Sequence, residues 1–271
     1  MDYIKYYGLS EQPFSNAPDS RFFFENAPHH KALVKLTHAA EKMTGLGVIL
    51  GDIGTGKTMI SRRLLETLPE DQYEVGLMVI IHSEVTPMWL LSKIAQLVGV
   101  EEIPEGKAEI ISALFHRLME LNEQGKKAII IIDEAQMLKS QEVMEEMRGL
   151  LNMEASGSLM ITFLMFGLPD LDEKLALDPP LSERVAMKHR LAAFDAEATT
   201  NYVKHRLEIG GRHDELFTPE ALDLMYQYSK GKPRTVNTIC DNALLEGCLA
   251  QQKVIDETII ESVAQDLGLS V

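Results

Sequence analysis

The sequence predicts a three-layer α/β/α fold with a parallel sheet and a phosphate loop, followed by a small all-helical domain. Three observations predict it. Gly51-Asp52-Ile53-Gly54-Thr55-Gly56-Lys57-Thr58 fits the pattern G-x-x-x-x-G-K-[ST] between an apolar strand-like run and a helical pattern. Ala128-Ile129-Ile130-Ile131-Ile132 is a continuous apolar run that ends on Asp133-Glu134, as expected of a strand buried on both faces. From Asp195 onward only helical patterns follow. The predicted domains are therefore residues 1–194 (nucleotide-binding, with an aromatic leading segment) and 195–271 (helical lid).

Residues 1–27 are rich in aromatics and turns: Tyr6-Tyr7-Gly8-Leu9, Pro13-Phe14, Pro18-Asp19 and Phe22-Phe23-Phe24. So many rings require a surface to pack on. Ala27-Pro28 opens a helix running to about Met43, with Leu33, Leu36 and Ala40 on one face. Such a leading segment either covers an adenine or packs on the sheet. Gly47–Leu50 is the first strand, and Met59–Leu68 the helix after the loop. Val75–Ile81 reads as a strand, and Pro87–Val98 and Lys107–Asn122 as helices. Gln141–Met153 reads as a helix whose methionines Met144, Met147 and Met153 fit a core or a subunit interface. Leu159–Phe166 and Ala186–Leu191 complete the strands. Helices follow at 199–207, 219–229, 233–250 and 256–267, with starts marked by Thr218-Pro219-Glu220 and Asp256-Glu257.

The chain has 271 residues, 45% hydrophobic and 25% charged, the profile of a globular protein. Its net charge of −15 disfavours nonspecific attraction to DNA or anionic lipid. Lys188-His189-Arg190 and Lys204-His205-Arg206 are the local basic exceptions, either a patch for an acidic partner or solvated faces. Cys240 and Cys248 are eight residues apart in one predicted helix, about 12 Å along its axis, too far to bridge. The histidines show no ligand spacing, so no zinc is expected. No signal-peptide core or membrane-length apolar run is present. The expectation is a cytoplasmic protein.

The loop's chemistry explains its residues. Backbone N–H groups that converge on a polyphosphate need a tight curl with no bulky Cβ where oxygens approach, and the following helix start adds partial positive charge. Lys57 reaches the β- and γ-phosphates, and the Thr58 hydroxyl ligates Mg²⁺. Asp133-Glu134 is a Walker B arrangement: Asp133 holds Mg²⁺ through water, and Glu134 activates the attacking water. Positive charge on the departing phosphate is also needed, with Arg184 and Arg234 as candidates.

Taken together, these parts resemble an AAA+ ATPase, and more closely the ExeA/GspA-type secretion ATPases. The resemblance rests on Tyr7-Gly8-Leu9, Pro13-Phe14, Pro18-Asp19, His30 with Ala32-Leu33, the phosphate loop, Asp133-Glu134-Ala135-Gln136, His205-Arg206-Leu207 and Gly231-Lys232-Pro233-Arg234-Thr235-Val236-Asn237. It covers nearly the whole chain. It implies ATP and Mg²⁺ as cofactors and ATP hydrolysis as the reaction. Arg234 matches the sensor 2 arginine, and Arg184 the arginine finger that acts in trans, which implies a homo-oligomeric ring or filament. The implied catalytic set is Lys57, Glu134, Arg184 and Arg234. The nucleotide-binding set is Gly51, Asp52, Ile53, Gly54, Thr55, Gly56, Lys57, Thr58, Met59 and Arg234, with Thr58 and Asp133 as metal ligands.

Two departures stand out. Relatives carry Gly-Gln-Pro-Glu-Leu after the fourth strand, where this chain has Gly167-Leu168-Pro169-Asp170-Leu171, so the polar sensor 1 side chain is missing at Leu168. Thr162 or another group takes its place, or hydrolysis is slow. Relatives also continue into a membrane span and a peptidoglycan-binding region, whereas this chain stops at Val271 and looks like the ATPase module alone. The implied function is to drive or regulate an envelope-associated secretion, pilus or polysaccharide assembly through a protein partner that recruits it to the inner membrane. The alternative is an ATP-gated adaptor, such as a TnsC-like transposition regulator that binds DNA.

Overall fold

The computed structural model describes residues 2–82, 84–155 and 157–270. They form two compact units, one of residues 27–51 and 60–191, the other of residues 2–26, 52–59 and 192–270.

Seven strands occur in the first: β1 (Leu46–Gly51), β2 (Tyr73–Val79), β3 (Lys127–Asp133), β4 (Glu154–Ala155), β5 (Ser158–Leu159), β6 (Ile161–Gly167) and β7 (Val185–Leu191). Five make one parallel sheet in the order β2-β3-β6-β1-β7. Helices flank it, as the sequence predicts. Ala128, Ile130 and Ile132 point into a core shared with helices Pro87–Leu97, Lys107–Glu123 and Gln141–Leu150. Ile129 and Ile131 face the opposite side and are equally buried. Two covered faces explain why β3 reads as an uninterrupted apolar run. At the sheet edge β7 alternates between exposed and half-buried residues, and helix Ala27–Lys42 packs against it and β1.

Several boundaries differ from the sequence reading, among them Ala196–Ile209 for the helix expected at 199–207, and three have a plain physical reason. β2 lies two residues earlier than predicted, because its register with β3 runs from Tyr73 opposite Lys127 to Val79 opposite Asp133. Ile80 donates its N–H to the Asp133 carbonyl at 3.1 Å, and Ile81 lies beyond the partner strand with 84% exposure. The methionine-bearing helix ends at Leu150 rather than Met153. Met144 and Met147 are fully buried in the core, with Met153 packed against it from outside the helix. Leu159, predicted to open β6, instead pairs antiparallel with Glu154, beside Ser158 opposite Ala155.

The second unit holds a separate core built from helices Ala196–Ile209, Pro219–Ser229, Pro233–Leu249 and Glu257–Asp266. The aromatic leading segment belongs to it: Tyr7, Leu9 and Phe14 are buried among these helices. The sequence reading attached this segment to the α/β domain, with the sheet as one candidate surface. The rings instead find aromatic partners here. Phe14 meets Phe217 edge-on at 6.2 Å, and Phe24 meets Phe194 at 5.7 Å and Tyr202 at 5.9 Å. Cys240 and Cys248 are buried free thiols, and burial pushes the Cys240 thiol well above its ordinary range.

Arg206 fastens the segment. Its guanidinium donates to the carbonyls of Pro13 and Ser15 and to the Tyr202 hydroxyl, and it lies 4.6 Å from the Phe22 ring centroid. With 5% exposure Arg206 offers no charge to a ligand, so Lys204-His205-Arg206 is not a basic surface patch. In the α/β unit Lys188 is paired to Asp172 at 2.7 Å. Replacing Arg206 with Met keeps the packing volume but strands two carbonyls. Arg206→Met is therefore expected to lose about 2–4 kcal/mol, read as a lower urea midpoint at unchanged slope.

His189 and His205 each bury Nε2 without a hydrogen-bond partner. Burial holds both imidazoles below their ordinary pKa, helped at His189 by Lys35 and Lys31 and at His205 by Arg206; a backbone hydrogen bond to Pro28 offsets this only partly at His189, as do the Glu208 charge and a backbone hydrogen bond to Phe23 at His205. The unfolded chain takes up these protons below about pH 6.5, while the folded chain resists. Stability is thus full above that value and is lost as pH falls through the lowered folded pKa values. A melting series from about pH 7.5 to 5.5 is expected to fall less steeply for the double variant His189→Gln/His205→Gln than for the wild type.

Candidate nucleotide-binding site

The loop from Asp52 to Thr58 curls through two left-handed glycines, Gly54 at φ +82° and Gly56 at φ +97°. The Thr55 hydroxyl donates to the Asp52 carbonyl at 2.9 Å, and the Lys57 ammonium donates to the same oxygen at 3.0 Å. Lys57 is 6% exposed, so its charge lies against the curled backbone. Helix Lys57–Thr67 starts at that lysine, which aims its N-terminal N–H groups at the loop. A Cβ on Gly54 would stand 3.1 Å from the Arg234 Cβ, and the Arg234 N–H donates to the Gly54 carbonyl at 3.4 Å. Helix Pro233–Leu249 thus begins on the loop itself, with the Arg234 side chain exposed.

That helix start is set by Gly231. It adopts φ +67°, and a Cβ there would lie 1.8 Å from the Phe194 carbonyl oxygen. The Phe194 N–H donates to the Gly231 carbonyl at 2.9 Å. Only glycine allows this approach, and Pro233 in the first turn then directs the chain into the helix.

In the α/β unit, β6 lies between β1 and β3. The carboxyl end of β1, where the loop begins, is therefore about 10 Å from that of β3. Asp133 closes β3 with 2% exposure, and Glu134 follows in the left-handed region at φ 55°. The Glu134 N–H donates to Asp133 Oδ1 at 3.0 Å. The Glu134 carboxylate accepts from the Gln136 amide at 2.6 Å, and the other end of that amide accepts from the Leu168 N–H at 3.1 Å.

Thr162 does not replace the missing polar group at Leu168. It sits at the opposite end of β6, roughly 16 Å from Gly167 along the strand, where its hydroxyl accepts from the Gly45 N–H. Arg184 is exposed, and its guanidinium donates to the Leu151 carbonyl and the Asn152 side chain of its own chain. Sequence reasoning missed the Gln136 link, because it depends on a positive φ at Glu134. It also missed Arg206, since a Lys-His-Arg triplet carries no mark of burial.

The donor set fits a nucleoside triphosphate with a hard divalent cation. The loop supplies glycine-lined curvature, an ammonium and the Thr58 hydroxyl, and within the other unit Asp133 offers a carboxylate at the end of β3. Among the described residues no cluster of three or more His, Cys, Asp or Glu is placed to hold a metal, and none is needed where phosphate oxygens complete the shell.

A glycine loop of this form, leaving a parallel strand for a helix, defines a P-loop nucleotide-binding class. The AAA domain family matches residues 40–175, half of the chain, and the chain belongs to that family. It is 32% identical over 250 residues to General secretion pathway protein A of Aeromonas hydrophila, covering 90% of this chain and 44% of that protein. The chain thus spans less than half the length of that relative. Its fold matches the ORC2 protein of Aeropyrum pernix in ADPNP–ADP complexes, with TM-score 0.70 and 16% identity over 94% of this chain and 73% of that one. It also matches Cdc6p of Pyrobaculum aerophilum, with TM-score 0.72 and 15% identity over 95% and 71%.

Gly231→Ala is expected to lose about 3 kcal/mol or more, because both the positive φ and the Phe194 carbonyl exclude a methyl group. Denaturant titration checks this, and Gly125→Ala, where a Cβ meets nothing within 4 Å, serves as the positive-φ control.

Proposed function

We propose that this chain is an AAA ATPase that binds ATP with Mg²⁺ and hydrolyses it as part of a homo-oligomer serving an envelope-associated secretion, pilus or polysaccharide assembly. The single observation that carries the hydrolytic part is the pairing of a buried Asp133 with a left-handed, hydrogen-bonded Glu134 at the carboxyl edge of the sheet. In this reading Lys57 neutralises the β- and γ-phosphates and Thr58 and Asp133 hold the metal. Glu134 takes a proton from the attacking water, and Arg234 contacts the nucleotide from the helical unit. Residues 51–59 form the phosphate cradle. Arg184 acts on a neighbouring subunit's nucleotide, with donors beyond the two that bind Leu151 and Asn152.

The secretion assignment rests on the similarity to General secretion pathway protein A, whose name places it in that process. A protein partner fits better than DNA, because the net charge is −15 and both basic triplets are partly consumed by internal contacts. Among the described residues no helix is long and apolar enough to cross a membrane.

The test is ATP turnover by wild type, Glu134→Gln and Lys57→Ala. Glu134→Gln is expected to keep nucleotide binding and lose turnover by about 10²–10⁴-fold, while Lys57→Ala weakens binding itself. Equal turnover in wild type and Glu134→Gln removes Glu134 from the chemistry. Mass measurement with a non-hydrolysable ATP analogue tests the oligomer.

A further inference from the structure

Gln136 joins two places that the sequence keeps 32 residues apart. It is buried, with 6% exposure. Its amide has two distinguishable ends, and the surroundings decide which faces where. The Leu168 main-chain N–H can only donate, so it requires the amide oxygen. The NH₂ end then necessarily faces the Glu134 carboxylate, which as an ion can only accept. A flipped amide would set donor against donor at one end and oxygen against oxygen at the other. Gly167 leaves the space for this bridge, since a Cβ there would stand 3.1 Å from the Gln136 oxygen.

We propose that Gln136 is a positioning residue for hydrolysis, holding the Glu134 carboxylate by one oxygen while anchored to the main chain at the end of β6. This rests on the assignment of Glu134 as the base that takes the water proton. Glu134 stands in the left-handed region between the end of β3 and a one-turn helix that begins at Ala135, and the bond to Gln136 restrains its side chain. One carboxylate oxygen is held by the amide, which leaves the second to meet water. The anchor uses the backbone of residue 168, so the bridge tolerates an apolar Leu168 side chain. In this chain the polar group at the end of β6 is thus supplied by residue 136.

The test uses the full chain and three measurements on Gln136→Ala and Gln136→Glu: ADP affinity, KM for ATP, and kcat. Gln136→Glu is isosteric and still accepts from the Leu168 N–H, but it loses the donor and sets a negative charge beside Glu134. Both variants are expected to lose roughly 10–100-fold in kcat with ADP affinity and KM unchanged. If Gln136→Ala does not fold, Gln136→Glu decides alone. A folded, nucleotide-binding Gln136→Glu with wild-type kcat, or one whose loss falls on KM or ADP affinity instead, overturns the proposal and leaves the ATPase reading intact. A wild type that does not turn over ATP removes that reading, and this inference with it.

Discussion

The two-sided burial of β3 is the constraint on which the rest depends. A strand with both faces covered has no solvated side on which to place charge, so its first charged groups after the apolar run must emerge where it ends. In this chain those groups are Asp133 and Glu134. Parallel pairing runs every neighbouring strand in the same direction, so the carboxyl ends of β1 and β6 lie at the sheet edge where Asp133 ends β3. That edge is where this sheet can present charge, in keeping with the rule that α/β sheets bind ligands beyond their carboxyl ends.

Much of this was legible in the sequence, for physical reasons that differ between elements. The phosphate loop is local: curvature, ammonium and hydroxyl are encoded within eight residues, so the pattern and the structure coincide. The isoleucine run is equally plain, because burial on both faces removes any competing periodicity. Less legible was whatever depends on a partner distant in sequence. β2 ends where β3 stops pairing with it, and Leu159 leaves the expected strand to pair, with Ser158, against residues 154–155. The role of Gln136 was hidden in a motif quoted for its acids. Arg206 reads as a surface charge until the carbonyls of Pro13 and Ser15 are seen to receive it.

The parts of the site also differ in how rigidly they are set. Gly231 and Phe194 approach so closely that a single methyl group is excluded, which fixes the start of the helix bearing Arg234. Glu134 is held by hydrogen bonds alone, in a backbone region that costs an ordinary residue energy. A backbone lock under one charged side chain and a hydrogen-bonded restraint on another suit different tasks. The first sets where a helix begins, and the second permits a carboxylate to exchange partners.

The joining of residues 2–26 to the helices after residue 192 has a consequence for synthesis. The aromatics of residues 2–26 leave the ribosome before Arg206, Tyr202 and Phe217, which follow some 180–200 residues later. At about 5–20 residues per second that interval is roughly 10–40 s. Until it closes Phe14 lacks Phe217 and Phe24 lacks Phe194 and Tyr202, while the strands of the intervening α/β unit are being made. A ring-rich stretch is thus carried uncovered on the nascent chain until the helices that cover it have been synthesised.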